Sequence, residues 1–184
     1  MQIVPLPLAG AFVIEVEPSR DARGFFARTF SADDFARHGL VSSFVQSGVA
    51  FNHARATLRG MHFQLAPHGE VKLVRCTAGA VYDVIVDLRP ESPTRCRWTS
   101  VELSSENRRT LYVPEGFAHG YLTLTDAAEL VYHMSVPQHV PSARGVRWND
   151  DAFGIEWPLE PVVISPRDAA YPNYTGQADF GVVR

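Results

Sequence analysis

The chain has 184 residues, enough for one domain and short for two, since domains usually run to about 100–150 residues. Hydrophobic residues make up 46% and charged residues 20%, a balance that fills a single core and argues against disorder. A formal net charge of -3 supplies no basic field for a polyphosphate backbone, and no apolar run reaches the roughly 18–20 residues of a membrane span, so neither nucleic acid nor membrane is expected as a partner.

From the amino terminus, residues 1–13 carry no cationic stretch ahead of an apolar core, so no secretory signal is expected and the cytoplasm is the expected compartment. Alternation and β-branching then predict strands over Ala11–Glu17, Lys72–Thr77, Ala80–Leu88, Arg97–Leu103, Thr110–Val113, Gly120–Leu124 and Leu130–Ser135. Gly79, Pro90 to Pro93, Ser104 to Asn107, and Pro114 with Gly116 mark turns between them. One helix is predicted, over Ala32–His38, with Ser31 as N-cap and Asp33 and Asp34 in the first turn. Many short strands at about ten-residue spacing point to an all-β sandwich or small barrel rather than βα units. The tail from Pro158, rich in Pro, Asp and Tyr, is expected to wrap it.

Cys76 and Cys96 are too few for a disulfide framework and lack ligand spacing, so they are expected as free thiols in a reducing cytosol. Of 17 basic residues, Lys72 alone is lysine and the other 16 are arginine. A compact amine and a guanidinium are not interchangeable in a buried site.

Two stretches carry chemistry. Leu58-Arg59-Gly60-Met61-His62-Phe63-Gln64 is followed by Lys72, and Pro114-Glu115-Gly116-Phe117-Ala118-His119-Gly120 fits the Pro-x-Gly-x-x-His half of the cupin signature. Cupin metal sites normally combine three His and one Glu, a set suited to a divalent transition metal. Here Gln64 stands where the first half has a second His, and Glu70 falls later than the pattern requires. No metal and no cofactor are therefore expected, and His62 and His119 are left for proton chemistry.

Further motifs follow in order: Asp21-Ala22-Arg23-Gly24-Phe25-Phe26, Lys72-Leu73-Val74-Arg75, Tyr82 to Arg89, Tyr132, Trp148 to Asp151, Ile155 to Pro158 and Ser165-Pro166-Arg167-Asp168. Together with the two stretches above, they resemble the dTDP-4-dehydrorhamnose 3,5-epimerase family of metal-independent cupin-fold enzymes, from about Leu6 to Pro172. The resemblance implies a cupin-type jelly-roll β-barrel with a few short peripheral helices. It also implies one domain over residues 1–184: amino-terminal strands and a nucleotide-contact segment in 1–56, the barrel core in 57–135, and a carboxy-terminal wrap carrying Asp168 in 136–184.

The implied reaction is epimerisation of a nucleotide-linked 4-keto-6-deoxyhexose, with dTDP-4-dehydro-6-deoxy-D-glucose the expected substrate. Its C3 and C5 hydrogens are acidic because both carbons flank the C4 ketone. A base removes one, an enolate forms, and an acid returns a proton to the opposite face. By resemblance His62 is the base, Asp168 orients its imidazole, Tyr132 is the acid, and Lys72 holds the enolate oxygen with His119 nearby. The resemblance also assigns Arg23, Gln46 and Arg59 to the nucleotide or its diphosphate and Phe26 to the base. Guanidinium forks suit a diphosphate because they donate paired hydrogen bonds. On a strand Phe25 and Phe26 alternate faces, so one is expected in the core and the other in binding.

Three departures fall in binding regions. Arg28 stands where the family has Glu, Gln46-Ser47-Gly48 stands for Gln-x-Asn with Asn52 as a candidate substitute, and His139 stands near a usual Tyr. The family also implies a homodimer with exchange of amino-terminal strands. Two other readings compete: a metal-dependent cupin dioxygenase or isomerase, which Gln64 opposes, and a non-catalytic sugar-nucleotide binding module. The latter has no need of a base and an acid on opposite faces.

Overall fold

The computed structural model describes residues 1–176. Its strands, in chain order, are β1 (Gln2–Pro5), β2 (Phe12–Glu15), β3 (Ser19–Asp21), β4 (Gly24–Phe26), β5 (Gln46–Asn52), β6 (Thr57–Gln64), β7 (Lys72–Ala78), β8 (Ala80–Asp87), β9 (Trp98–Ser104), β10 (Thr110–Val113), β11 (Phe117–Thr123), β12 (Ala128–Met134), β13 (Ala143–Gly145) and β14 (Val163–Ile164). Two short helices accompany them, α1 (Ala32–Arg37) and α2 (Pro166–Ala169). One sheet runs β1-β2-β10-β7-β12-β5 and the other β13-β6-β11-β8-β9, with β14 parallel to β6 at its edge. They form a cupin-type jelly roll, as expected.

Each of the predicted strands is present within a few residues. The helix is present too, and the Ser31 hydroxyl accepts from the Asp34 amide at 3.3 Å. Of the longer strands, β5 and β6 escaped prediction, as did the short β1, β3, β13 and β14. In β6, Arg59 and Gly60 interrupt the alternation, and only pairing with β11 and β13 keeps the segment extended.

Period-two alternation distributes the side chains. Val13, Val74, Leu111 and Leu130 from the first sheet meet Val81, Ile85, Leu103 and Tyr121 from the second in one buried cluster between the sheets. Leu73 and Tyr112 point outward and are covered by Phe35 of α1 with Leu40 and Phe44. The outer face of the second sheet, with Met61, Phe63, Val84 and Val86, is covered by Val146, Phe153 and Trp157. Segment 146–157 thus covers one sheet, and β8 reads as a near-continuous apolar run because both of its faces are buried.

Alternation also aims polar groups inward. Met61 and Phe63 face out, so His62 faces in; Leu73 faces out, so Lys72 faces in; Leu130 faces in, so Tyr132 does as well. His119 pairs directly opposite His62. The interior of the roll is apolar at one end and carries titratable groups at the other.

Cys76 is buried and Cys96 partly so, and both are free. Burial pushes the Cys76 thiol up to about 11, so it is an inert packing residue.

Candidate active site

A cleft of about 200 Å³ opens between the sheets, lined by His62 and Gln64 from β6, Glu70 and Lys72 at the start of β7, Tyr132 of β12, and Arg167 and Tyr171 from the tail. His62, Lys72 and Tyr132 therefore share one cavity although 70 residues of sequence separate the first from the last. Asp168 completes the group from behind: its Oδ1 lies 2.8 Å from His62 Nε2.

Three local features place that carboxylate. Ser165 caps α2, its hydroxyl accepting from the Asp168 amide at 3.1 Å, so Asp168 is spared the capping task common for Asp in such a turn. β14 runs parallel to β6, pairing Val163 with Thr57 and Ile164 with Leu58, and brings the helix alongside His62. The Gly60 amide donates to Asp168 Oδ2 at 3.1 Å. Gly60 itself has φ +132°, and a Cβ there would lie 2.5 Å from Gly120 Cα. Only two glycines let β6 and β11 approach this closely, at the register shift between His119 and Tyr121. Gly60→Ala is expected to lower stability by about 2–4 kcal/mol and to disturb the His62–Asp168 contact, measurable by urea unfolding with turnover.

Asp168 is 2% exposed. Burial works against its charged form, but hydrogen bonding to His62, charge attraction to it and the Gly60 amide prevail and hold the carboxyl below its usual value. Burial lowers the His62 value, and Asp168 opposes that shift without reversing it. At neutral pH the pair is then a carboxylate beside a neutral imidazole with a fixed tautomer, the form a base requires. Because burial disfavours the charged imidazole, the acid limb of kcat/KM is expected below the ordinary histidine value of about 6.5. Asp168→Asn removes the charge that raises His62, so its limb should move lower still while the plateau falls about 100-fold or more. A pH–rate series on both proteins measures this.

A second imidazole–carboxylate pair faces the first. His119 Nε2 lies 2.8 Å from Asp83 Oδ1, both buried. Burial raises the Asp83 carboxyl, with His119 opposing. The His119 ring packs edge-on to Tyr132 at 6.2 Å between centroids. Burial, then the neighbouring Tyr121 and the hydrogen bond to it, push Tyr132 well above the ordinary phenol value, so it carries its proton at neutral pH. Tyr132 donates to Tyr121, whose hydroxyl donates to Asn52 Oδ1 at 3.2 Å. The same oxygen accepts from Arg59 Nε at 2.8 Å.

That network engages Asn52, which was expected at the substrate. It is buried, its Nδ2 donates to the Ala128 carbonyl at 3.1 Å, and its oxygen is shared by Tyr121 and Arg59. Asn52 holds Arg59 through its amide oxygen. Arg59 lines a second hollow of about 450 Å³ with Thr57, His62, Ser165, Arg167 and Asp168. Arg167 Nη2 sits 3.4 Å from His62 Nε2. Sequence reasoning passed over Arg167, Tyr171, Tyr121, Asp83 and Glu70 as site residues; for Arg167 the signal was its place beside Asp168 in the Ser-Pro-Arg-Asp motif.

Other expected contacts lie elsewhere in the single chain. Arg23 and Phe26 sit on the separate β3–β4 hairpin, 90% exposed at the Arg23 side chain and 72% at Phe26. Neither phenylalanine of the pair is core: Phe25 is exposed too, with the Arg20 and Arg108 guanidiniums over its ring. Arg28 is exposed just ahead of α1, and its charge helps hold Asp34 low. Gln46 Oε1 accepts from the Gln138 amide at 2.9 Å, tying β5 to the cleft wall. Gly48 lies opposite Tyr132 in the β5–β12 register, with nothing within 4 Å of where a Cβ would be.

Gln64 and His139 also find their tasks. Gln64 Oε1 accepts from the His139 amide at 2.6 Å and its Nε2 donates to the His68 carbonyl at 3.0 Å. The His68 and His139 rings stack at 3.6 Å, and each Nδ1 meets the Ser142 hydroxyl. The amide that replaces a cupin histidine thus clamps two loops together. Glu70 faces Lys72 at 3.1 Å rather than an imidazole. Among the described residues, no three His, Cys, Asp or Glu side chains gather as a metal site, and no helix is long and apolar enough to cross a membrane.

Comparison with known proteins identifies relatives over nearly the whole chain. The model of the dTDP-4-dehydrorhamnose 3,5-epimerase family matches residues 5–175. The dTDP-4-dehydrorhamnose 3,5-epimerase of Salmonella typhimurium is 41% identical over 178 residues, covering 94% of both chains, and that of Methanothermobacter thermautotrophicus 43% over 171 residues, covering 91% of both. Among solved structures, the dTDP-6-deoxy-D-glucose-3,5-epimerase of Legionella pneumophila in complex with dTDP-4-keto-L-rhamnose superposes with a TM-score of 0.87 at 36% identity, covering 94% of this chain and 92% of that one. A 3'-monoepimerase from Streptomyces bikiniensis in complex with dTDP-quinovose gives 0.85 at 35%, covering 92% and 86%.

Proposed function

Since the chain belongs to the dTDP-4-dehydrorhamnose 3,5-epimerase family, we propose that its cleft epimerises a dTDP-linked 4-keto-6-deoxyhexose at C3, C5 or both by proton removal and return. The observation that carries the assignment of roles is the His62–Asp168 pair at 2.8 Å, with His62 in one cavity with Lys72 and Tyr132. Neutral His62 takes the proton from the carbon next to the ketone, and Asp168 stabilises the imidazolium that forms. Charge then develops on the C4 oxygen, where the Lys72 ammonium stabilises it; one donor of this kind typically contributes about 3 kcal/mol to lowering the barrier. Tyr132, on the strand facing β6 across the cleft, returns a proton from the other side and inverts the centre.

The sugar occupies the 200 Å³ cleft, and the diphosphate lies against Arg59 and Arg167 in the adjoining hollow. His62 and Arg167 line both, so the two spaces adjoin at the base. Arg23, Phe26 and Arg28 do not line either hollow, which supports a homodimer in which the β3–β4 hairpin completes the partner's nucleotide site. The exposed apolar strip Val45, Val49 and Phe51 along the edge strand β5 supports the same assembly; a monomeric mass by sedimentation at working concentration would rule it out. Cytoplasmic residence belongs to the same reading.

The deciding experiment incubates the protein in deuterium oxide with dTDP-4-keto-6-deoxyglucose and other nucleotide 4-ketohexoses. Deuterium should enter C3, C5 or both. No incorporation with any of them would refute an epimerase.

A further inference from the structure

Among the described residues, Glu70 is the one acidic side chain lining the cleft, where Lys72, Arg144 and Arg167 supply positive charge. Its Oε1 lies 3.1 Å from Lys72 Nζ, and the two side chains are only 11% and 13% exposed. A carboxylate beside a forming enolate opposes the reaction unless it is engaged elsewhere, because like charges repel most strongly where water is excluded. Its presence here needs a physical reason.

The backbone supplies one. The Val71 amide donates to Ser135 Oγ at 2.9 Å, and the Ser135 amide donates to the Val71 carbonyl at 3.0 Å. The extended run of β7 therefore continues back past Lys72 against the end of β12. Residues two apart on such a run share a face, so Glu70 and Lys72 project together while buried Val71 points away. A lysine ends in three rotatable donors on a flexible four-carbon stem. With one N–H held by Glu70, the remaining two have a defined direction.

We propose that Glu70 is a positioning residue for Lys72: it accepts one ammonium hydrogen and leaves the other two aimed at the C4 oxygen of the 4-keto sugar. The proposal rests on the epimerase reading. Glu70 touches neither the reacting carbon nor the migrating proton; it acts through the amine.

A double-mutant cycle tests it, with kcat and KM measured by epimerisation of dTDP-4-keto-6-deoxyglucose and folding checked by circular dichroism. Glu70→Ala should lower kcat by about 10-fold to 100-fold, the scale of a misplaced catalytic group, with KM changed less than about twofold. Glu70→Gln keeps an acceptor oxygen and the same shape, so it should recover kcat to within about threefold of wild type. In a Lys72→Ala background, Glu70→Ala should leave kcat unchanged or raise it, because no amine remains to be aimed. An equal fold-loss in both backgrounds, a loss confined to KM, or wild-type kcat in Glu70→Ala would each overturn the proposal. These outcomes leave the epimerase reading standing, whereas absence of deuterium uptake by the wild type removes both.

Discussion

Replacing His62 with alanine is expected to reduce kcat about 1000-fold or more and to abolish deuterium uptake at both C3 and C5. General-base transfer by a positioned side chain typically contributes about 100-fold to 10,000-fold, and this base comes with its tautomer set by Asp168 at 2.8 Å. The fold should survive, since His62 is partly exposed at the cleft and Asp168 keeps the Gly60 amide at 3.1 Å. Substrate affinity should change only several-fold, because Arg59 and Arg167 carry the diphosphate in this scheme. Isotope incorporation by NMR, read beside a titration of the nucleotide sugar, measures both effects. Full turnover in His62→Ala would place the base on another residue of the cleft.

Tyr132→Phe separates the two halves of the reaction. The variant loses the acid but keeps the base, so His62 can still remove a proton and return solvent deuterium to the same face. Exchange at the carbon should persist while inverted product falls about 100-fold or more. Little packing is lost, because phenylalanine keeps the ring against His119 at 6.2 Å and gives up only the hydrogen bond to Tyr121. Loss of exchange and inversion in equal measure would instead place Tyr132 at the proton-abstraction step. Inversion at the wild-type rate would point to another donor, with Tyr171 a candidate because it lines the same cleft.

The two variants probe opposite walls of one cleft, and the structure explains why the walls differ. His62 is paired with a carboxylate held low by that pairing, whereas burial, with Tyr121 and Asp83 beside it, keeps the proton on Tyr132. Environments that push two titratable groups toward opposite protonation states are the usual mark of an acid–base couple.

Much of this was legible in the order of residues. Alternation over Ala80–Leu88 and Leu130–Ser135 is a local property, and it foretold strands that lie within a residue or two of those bounds. Ser31 ahead of Asp33 and Asp34 foretold α1 for the same reason: the cap, the first turn and the helix are neighbours along the chain. The motif Arg59-Gly60-Met61-His62 also has a local signature, although its strand was missed because Gly60 hides the alternation.

What depended on the third dimension depended on contacts between distant segments. Asn52 reads as a spare polar residue near a nucleotide, yet Ala128, Tyr121 and Arg59 converge on it and make it a buried anchor. Arg23 and Phe26 carry a family motif, but in a single chain their hairpin stands apart from both hollows. Glu70 looked like a misplaced metal ligand until the backbone of Val71 and Ser135 set it beside Lys72.

Composition, charge and alternation by themselves determined a β-rich fold, and the ordered motifs determined the family, because each rests on residues close together in sequence. Which carboxylate serves which cation or imidazole was decided only by the tertiary structure. Asp168 reaches His62 across 106 residues of chain and Asp83 reaches His119 across 36, and such pairings follow from strand register and sheet closure, which no local pattern encodes. The single lysine, conspicuous in the composition, gained its partner in the same way.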